Sequence, residues 1–125
     1  MKVMLKIEKD IHLEAELNNS ETAQKIYQSL PLKGQGSTWG QEIYFSVPVE
    51  VPLEADARDV LEIGELGYWP DMNAFCIFYG PTPASRGDEI RAAGPVNVFG
   101  KILDDITPLK ELSGTMTVVV ESRKN

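Results

Sequence analysis

The sequence has few of the residues that carry disulfide, metal or nucleophilic chemistry. Its 125 residues include one cysteine, Cys76, and one histidine, His12. A single cysteine cannot form an internal disulfide, and its apolar neighbours favour a core thiol over a nucleophile. One histidine without a cysteine cluster cannot complete a metal site, and no Gly-rich phosphate loop or nucleophile elbow occurs. We therefore expect no metal and no cofactor.

The sequence also lacks a long apolar run and an excess of positive charge. No stretch approaches the ~18 apolar residues of a membrane-spanning helix, and Met1 leads into alternation instead of a signal-peptide core. Nineteen acidic and twelve basic residues give a net charge of −7, which repels phosphate backbones and anionic lipids. We expect no nucleic-acid or membrane partner, a cytoplasmic location, and a single domain over residues 1–125.

Hydrophobic alternation predicts that the chain is mainly β. Residues 2–7 and 11–17 alternate apolar and polar side chains, as in a half-buried hairpin. The stretch from Glu54 to Glu62 fits either a helical turn or an irregular arm, and residues 80–95 form a loop long enough for binding. The sequence predicts strands at residues 2–7, 11–17, 38–47, 64–70, 74–79, 96–102 and 115–122.

Two short helices are predicted between the strands. Ser20 is a suitable N-cap for an amphipathic helix of about three turns that ends before Pro31. Thr107 is predicted to cap a second helix with Pro108 at its first position. A closed antiparallel β-barrel of about eight strands, capped by these helices, leaves no exposed sheet edges. An open sandwich is the alternative.

Several motifs resemble the cyclophilin fold. Residues 21–27 (ETAQKIY) resemble its first helix, and residues 98–102 (VFGKI) resemble its Val-Phe-Gly-Lys-Val strand. Residues 38–40 (TWG), 67–70 (GYWP) and 96–98 (VNV) are similar to segments of a small group of prokaryotic cyclophilin-like proteins of unsettled function. This resemblance spans most of the chain and implies a cyclophilin-like barrel.

The same resemblance shows a missing catalytic group. In active cyclophilins a Gly-Ser pair precedes a Phe-His-Arg-Ile-Ile-Pro strand, whose arginine weakens the resonance of the prolyl amide. Here Gly36 and Ser37 precede Thr-Trp-Gly-Gln-Glu-Ile, so that Gln41 stands at the arginine position beside Glu42. An uncharged amide next to a carboxylate disfavours strong isomerase activity. The catalytic candidates are Gln41 itself and two arginines, Arg86 and Arg91.

Aromatic residues in the family-like segments predict a ligand groove. Glu42, Tyr44 and Ser46 share one face of a strand, opposite to Trp39, Ile43 and Phe45. Aromatic walls with a few polar groups are typical of ligand sites, although a solvated sheet face and core packing are the alternatives. The predicted ligand-binding residues are Trp39, Gln41, Glu42, Tyr44, Tyr68, Trp69, Phe78, Thr82 and Arg86.

The sequence therefore predicts a binding domain for a small molecule or a short apolar or proline-containing peptide. One alternative is a slow peptidyl-prolyl isomerase that uses Arg86 or Arg91 from the long loop. The other is a structural or assembly domain, which predicts an apolar surface patch and a homodimer. Asn97, within an apolar strand, is expected to make structural hydrogen bonds instead of ligand contacts.

Overall fold

Nine antiparallel strands dominate the computed structural model, which describes residues 1–123. One α-helix, α1 (Glu21–Gln28), follows the first hairpin, and 3-10 turns cover Pro70–Met72 and Thr107–Glu111. No helix within residues 1–123 is long and apolar enough to cross a membrane. The strands are β1 (Lys2–Ile7), β2 (Ile11–Leu17), β3 (Leu32–Thr38), β4 (Glu42–Ser46), β5 (Arg58–Leu61), β6 (Glu65–Trp69), β7 (Ala74–Phe78), β8 (Ile90–Ile102) and β9 (Thr115–Ser122).

Eight of these strands close into a barrel. They follow the order β2-β1-β9-β3-β4-β7-β6-β8, and β8 pairs back onto β2 from Ala15 opposite Ile102 to Leu17 opposite Gly100. The remaining strand, β5, pairs with the first half of β8 outside this ring. The predicted closed antiparallel barrel is confirmed, and closure satisfies the edges that an open sheet would expose.

The barrel interior holds the main hydrophobic core. In β1 the residues Val3, Leu5 and Ile7 are fully buried, as the alternation predicts. Phe75 lies at the centre, with its ring centroid 5.1 Å from that of Phe45 and 5.0 Å from that of Phe99. Side chains of opposite parity on the same strands point out of the barrel.

The two predicted helices form in shorter versions. Ser20 caps α1, since its hydroxyl oxygen accepts a hydrogen bond of 3.1 Å from the amide of Ala23. The helix has 8 residues instead of three turns, because the chain turns at Ser29 to begin β3. The second helix is a 3-10 turn whose N-cap is Ile106, so the predicted cap at Thr107 is wrong. Thr107 is the first residue of the turn, and its amide donates to the carboxylate of Asp105 at 3.0 Å.

Two strands differ clearly from their predicted bounds, and two others, β3 and β5, were not predicted. β5 lies within the stretch from Glu54 to Glu62, so the expectation of a helical turn or an irregular arm is wrong for Arg58–Leu61. The predicted strand 38–47 is reduced to β4, because Thr38 is the last residue of β3 and a turn follows it. β3 contains both Gly34 and Gly36. A Cβ atom on residue 36 would lie 2.9 Å from Cγ2 of Val118, so these glycines mark close packing within a strand. β8 begins at Ile90, which shortens the predicted loop, and Pro95 lies where the pairing with β5 shifts register and no ladder donor is needed.

Candidate functional site

A cavity of about 260 Å³ lies on the outer surface of the barrel. Ile43 and Phe45 of β4 fill the interior, so Glu42 and Tyr44 point outward. A second, smaller apolar cluster joins β7 to β5 and to the first half of β8 on this side. The cavity is lined by Trp39, Glu42, Tyr44, Trp69, Met72, Cys76, Ala92, Ala93 and Val96.

The turn between β3 and β4 places Trp39 in this cavity. Gly40 adopts a left-handed φ of 61°, and the amide of Trp39 donates to the carbonyl of Glu42 at 2.8 Å. The turn resets the strand alternation. Trp39 therefore lines the outer cavity with Glu42, and the prediction that it shares a face with Ile43 and Phe45 is wrong.

Substituting Gly40 with alanine is expected to destabilise the fold by about 2 kcal/mol. The added Cβ would lie 2.8 Å from Cα of Thr82 and 2.9 Å from the carbonyl oxygen of Pro81, both backbone atoms, in addition to the strained φ. Urea denaturation measures the change. Gly87→Ala is the matched control, because no atom lies within 4 Å of its added Cβ. Equal losses in the two variants would contradict the role of the turn.

Glu42 is the only carboxyl group of the cavity lining within residues 1–123. Its side chain is 6% exposed, and its Oε1 atom has no hydrogen-bond partner in the described part of the chain. Burial raises the pKa of Glu42 from 4.5 to about 7, and the neighbouring Cys76 thiol offsets part of this effect. Both protonation states are therefore populated near neutral pH, as is common in functional sites.

Cys76 faces the cavity beside Glu42 but is not an activated nucleophile. Burial is the main reason that its pKa is raised, and the negative charge of Glu42 raises it further. The same two causes raise the pKa of Tyr79, whose buried hydroxyl has no partner among residues 1–123. Cys76 stays a thiol near neutral pH and supplies an apolar, polarisable part of the wall.

Four of the predicted ligand-binding residues meet in the cavity: Trp39, Glu42, Tyr44 and Trp69. Three others are internal. Tyr68 is buried in the barrel core, where its hydroxyl donates to the carbonyl of Val49. Phe78 is fully buried in the outer cluster behind the cavity wall. Thr82 is buried too, and its hydroxyl donates to the carbonyl of Arg91 and accepts from the amide of Ala84.

The remaining candidates also lie away from the cavity. Gln41 packs over Gly80 and lines a separate, more open hollow. Arg86 is exposed, and Arg91 forms ion pairs with Asp59 at 2.8 Å and Glu89 at 2.5 Å. No arginine lines the cavity in the part of the chain that the structure describes.

Sequence reasoning missed five lining residues: Met72, Cys76, Ala92, Ala93 and Val96. Cys76 was predicted as a core residue, and its burial agrees with that, but its outward parity in β7 also places it at the cavity. The three β8 residues reach the site only through the fold of that long strand. The sequence signal that could have pointed to Val96 is Gly67, because a glycine within a strand often marks the close approach of another segment. In the structure a Cβ on residue 67 would lie 2.7 Å from Cγ2 of Val96.

The comparisons with known proteins agree with this architecture. The cyclophilin-like family model matches residues 1–121. The chain belongs to the cyclophilin-like family. The solution structure of a hypothetical protein from Archaeoglobus fulgidus is similar, with 36% sequence identity and a TM-score of 0.83. That alignment covers 98% of this chain and 95% of the archaeal one, whereas no curated protein matches in sequence.

The cyclophilin-like barrel thus carries an outer aromatic cavity with one buried carboxyl group. Within residues 1–123 no group of three or more histidine, cysteine, aspartate or glutamate side chains is placed to hold a metal ion. The cavity can bury apolar surface on Trp39, Tyr44 and Trp69 and can exchange one hydrogen bond or proton at Glu42.

Proposed function

We propose that this cyclophilin-like protein binds a small molecule, or one apolar or proline side chain of a short peptide, in the outer cavity. The observation that supports this is the combination of aromatic walls with a single buried carboxyl group whose Oε1 is unpartnered in the described chain. A buried polar atom without a partner is costly, so a bound group that pairs with Glu42 gains affinity.

The size of the cavity restricts the ligand. A volume of about 260 Å³ lies just below the ~300–1,000 Å³ of pockets for drug-sized molecules. It suits one ring or one side chain together with its nearest polar group. Trp39 and Trp69 are half-buried, so their rings retain apolar surface for a ligand to cover. We infer a ligand of about one amino-acid side chain in size at this position.

The proposal includes the absence of strong prolyl isomerase activity. In active cyclophilins an arginine acts on the prolyl amide, and no guanidinium lines the cavity among the described residues. Arg91 would have to leave both Asp59 and Glu89 to reach it. Gln41 lies in the other hollow. No observation therefore favours the slow isomerase alternative.

A thermal-shift screen of small amines, alcohols, aromatic rings and Xaa-Pro dipeptides tests the binding proposal. We expect members of the screen to raise the melting temperature, because a ligand that binds only the folded state stabilises it by mass action. Calorimetry on Trp39→Ala is expected to give affinity about tenfold weaker, since an aromatic wall is lost.

Leu53→Ala is the control for this variant, because Leu53 is 52% exposed and lies outside the cavity lining. It is expected to bind as the wild type does. A screen without any stabilising compound, or equal affinity in Trp39→Ala and wild type, would contradict the proposal. Acceleration of cis-trans exchange in an Xaa-Pro peptide, measured by NMR, would contradict the statement on isomerase activity.

A further inference from the structure

Three aromatic side chains from separate parts of the barrel converge on the cavity. Trp39 comes from the turn after β3, Tyr44 from β4 and Trp69 from the end of β6. The faces of aromatic rings carry negative partial charge and attract cations, most strongly where water is excluded. Three aromatic residues in the lining of one small cavity therefore favour a positively charged group over a neutral group of equal size.

The carboxyl group of Glu42 adds a second, independent observation. The residue lines the cavity, and its Oε1 atom is buried and lacks a hydrogen-bond partner in the described chain. A buried carboxylate is unfavourable without a nearby opposite charge, and no lysine or arginine lines the cavity within residues 1–123. The protein thus supplies the negative partner and the aromatic faces but not the cation.

We propose that the outer cavity binds a small organic cation, an amine that carries at least one N–H and a short apolar chain. The N–H donates to the carboxylate of Glu42, and the alkyl groups next to the nitrogen pack on Trp39 and Trp69. The inference rests on the proposed function of the cavity as a binding site and names its ligand class. The cation is either a free amine or an alkylated lysine side chain of a peptide.

Calorimetry with isoamylamine and isoamyl alcohol tests this directly. The two compounds have nearly equal size, and both donate a hydrogen bond, but only the amine is charged. We expect the amine to bind at least about tenfold tighter at about pH 8. Glu42→Gln keeps the shape of the side chain and is expected to remove this preference, whereas Glu50→Gln, at an exposed position outside the lining, retains it.

The pH dependence gives a readout that needs no variant. The other titratable groups near Glu42 are Tyr44 of β4, Cys76 of β7 and Tyr79 after β7; β6 and β8 contribute none to the lining. Burial keeps Cys76 and Tyr79 protonated near neutral pH. The amine is therefore expected to bind several-fold tighter at about pH 8 than at about pH 6, as Glu42 ionises, and the alcohol is not.

A peptide arm separates the two sources of the cation. N-acetyl-dimethyllysine methylamide is compared with its norleucine analogue. Tighter binding of this cation than of isoamylamine identifies a peptide side chain as the source, whereas isoamylamine that binds at least as tightly identifies a free amine. The inference is overturned if neither cation binds more tightly than its neutral counterpart, isoamyl alcohol or the norleucine compound, or if the preference for the cation persists in Glu42→Gln. If only neutral members of the screen bind, the cation class is wrong while the binding site stands; if nothing binds, both proposals fail.

Discussion

Replacing Glu42 with glutamine is expected to make the stability of the protein nearly independent of pH near neutrality, relative to the wild type. The folded state raises the pKa of this carboxyl group from 4.5 to about 7, mainly through burial. A raised carboxyl pKa means that the folded state holds the proton more tightly than the unfolded state does. The stabilisation that the protonated Glu42 side chain contributes is therefore complete below about pH 4.5 and is lost as the pH rises through 7.

The expected loss is about 3 kcal/mol between acidic and mildly alkaline pH, because each pKa step of one corresponds to about 1.4 kcal/mol. Urea denaturation of wild type and Glu42→Gln at about pH 5 and pH 8.5 measures it as the change in the difference between their unfolding free energies. Surface groups with lowered pKa, such as Glu62 and Asp105, are common to both proteins and cancel in that difference.

Glu50→Gln controls for the loss of one negative charge at the surface, and its stability is expected to run parallel to that of the wild type. A constant difference between wild type and Glu42→Gln across the pH range would contradict the burial of an ionisable carboxyl group in the cavity. It would also remove the electrostatic basis for cation binding, since a solvated Glu42 would have little need of a partner.

Local patterns predicted most of the scaffold, although they missed β3 and β5. The first hairpin alternates strictly, and Val3, Leu5 and Ile7 point into the barrel as its parity requires. Ser20 caps α1 because its hydroxyl oxygen accepts a hydrogen bond from a backbone amide that has no partner within the helix. This effect is local in sequence. Barrel closure followed from the number of strands and from the cost of exposed edges. These inferences depend on neighbours in sequence, and the structure confirms them.

The site depended on contacts that are distant in sequence. The parity of β4 placed Glu42 on the outer face correctly, but the same parity fits a solvated carboxylate. Glu42 is buried in a cavity that it lines together with Ala92 and Val96 of the outer apolar cluster, about fifty residues further along the chain. Strand alternation puts Tyr68 and Trp69 on opposite faces, so only one of them could line the cavity, but the pattern did not show that Trp69 does so and that Tyr68 enters the core.

The turn at Gly40 is an intermediate case. A glycine between two strand-like segments permits a left-handed residue, yet the motif Thr38-Trp39-Gly40 reads equally well as continuous strand. The close approach of the Thr82 backbone to Gly40 shows that this segment is a turn and not a continuous strand. The contact joins two loops that are far apart in sequence. The family resemblance pointed to the correct segments, whereas the direction of each side chain required the folded chain.

Replacing Asn97 with alanine is expected to destabilise the fold by about 3 kcal/mol or more. The side chain is 1% exposed and joins three parts of the protein. Its carbonyl oxygen accepts the amide of Glu54 at 2.7 Å, and its amide nitrogen donates to the carbonyl of Pro52 at 3.0 Å and to the hydroxyl of Thr22 at 3.1 Å. Alanine leaves these polar groups without partners, and each costs about 1–3 kcal/mol when buried.

Urea denaturation measures this loss, and Asn19→Ala is the matched control, because Asn19 is exposed and its truncation is expected to change stability by less than about 0.5 kcal/mol. Hydrogen exchange adds a local readout, since the amide of Glu54 should exchange faster in Asn97→Ala. Asn97 also lies beside Val96 of the cavity wall. If the variant were as stable as the wild type, the hydrogen bonds of Asn97 would not stabilise the packing of the segment before β5 against β8. The occurrence of Asn97 in an apolar strand would then need a different explanation.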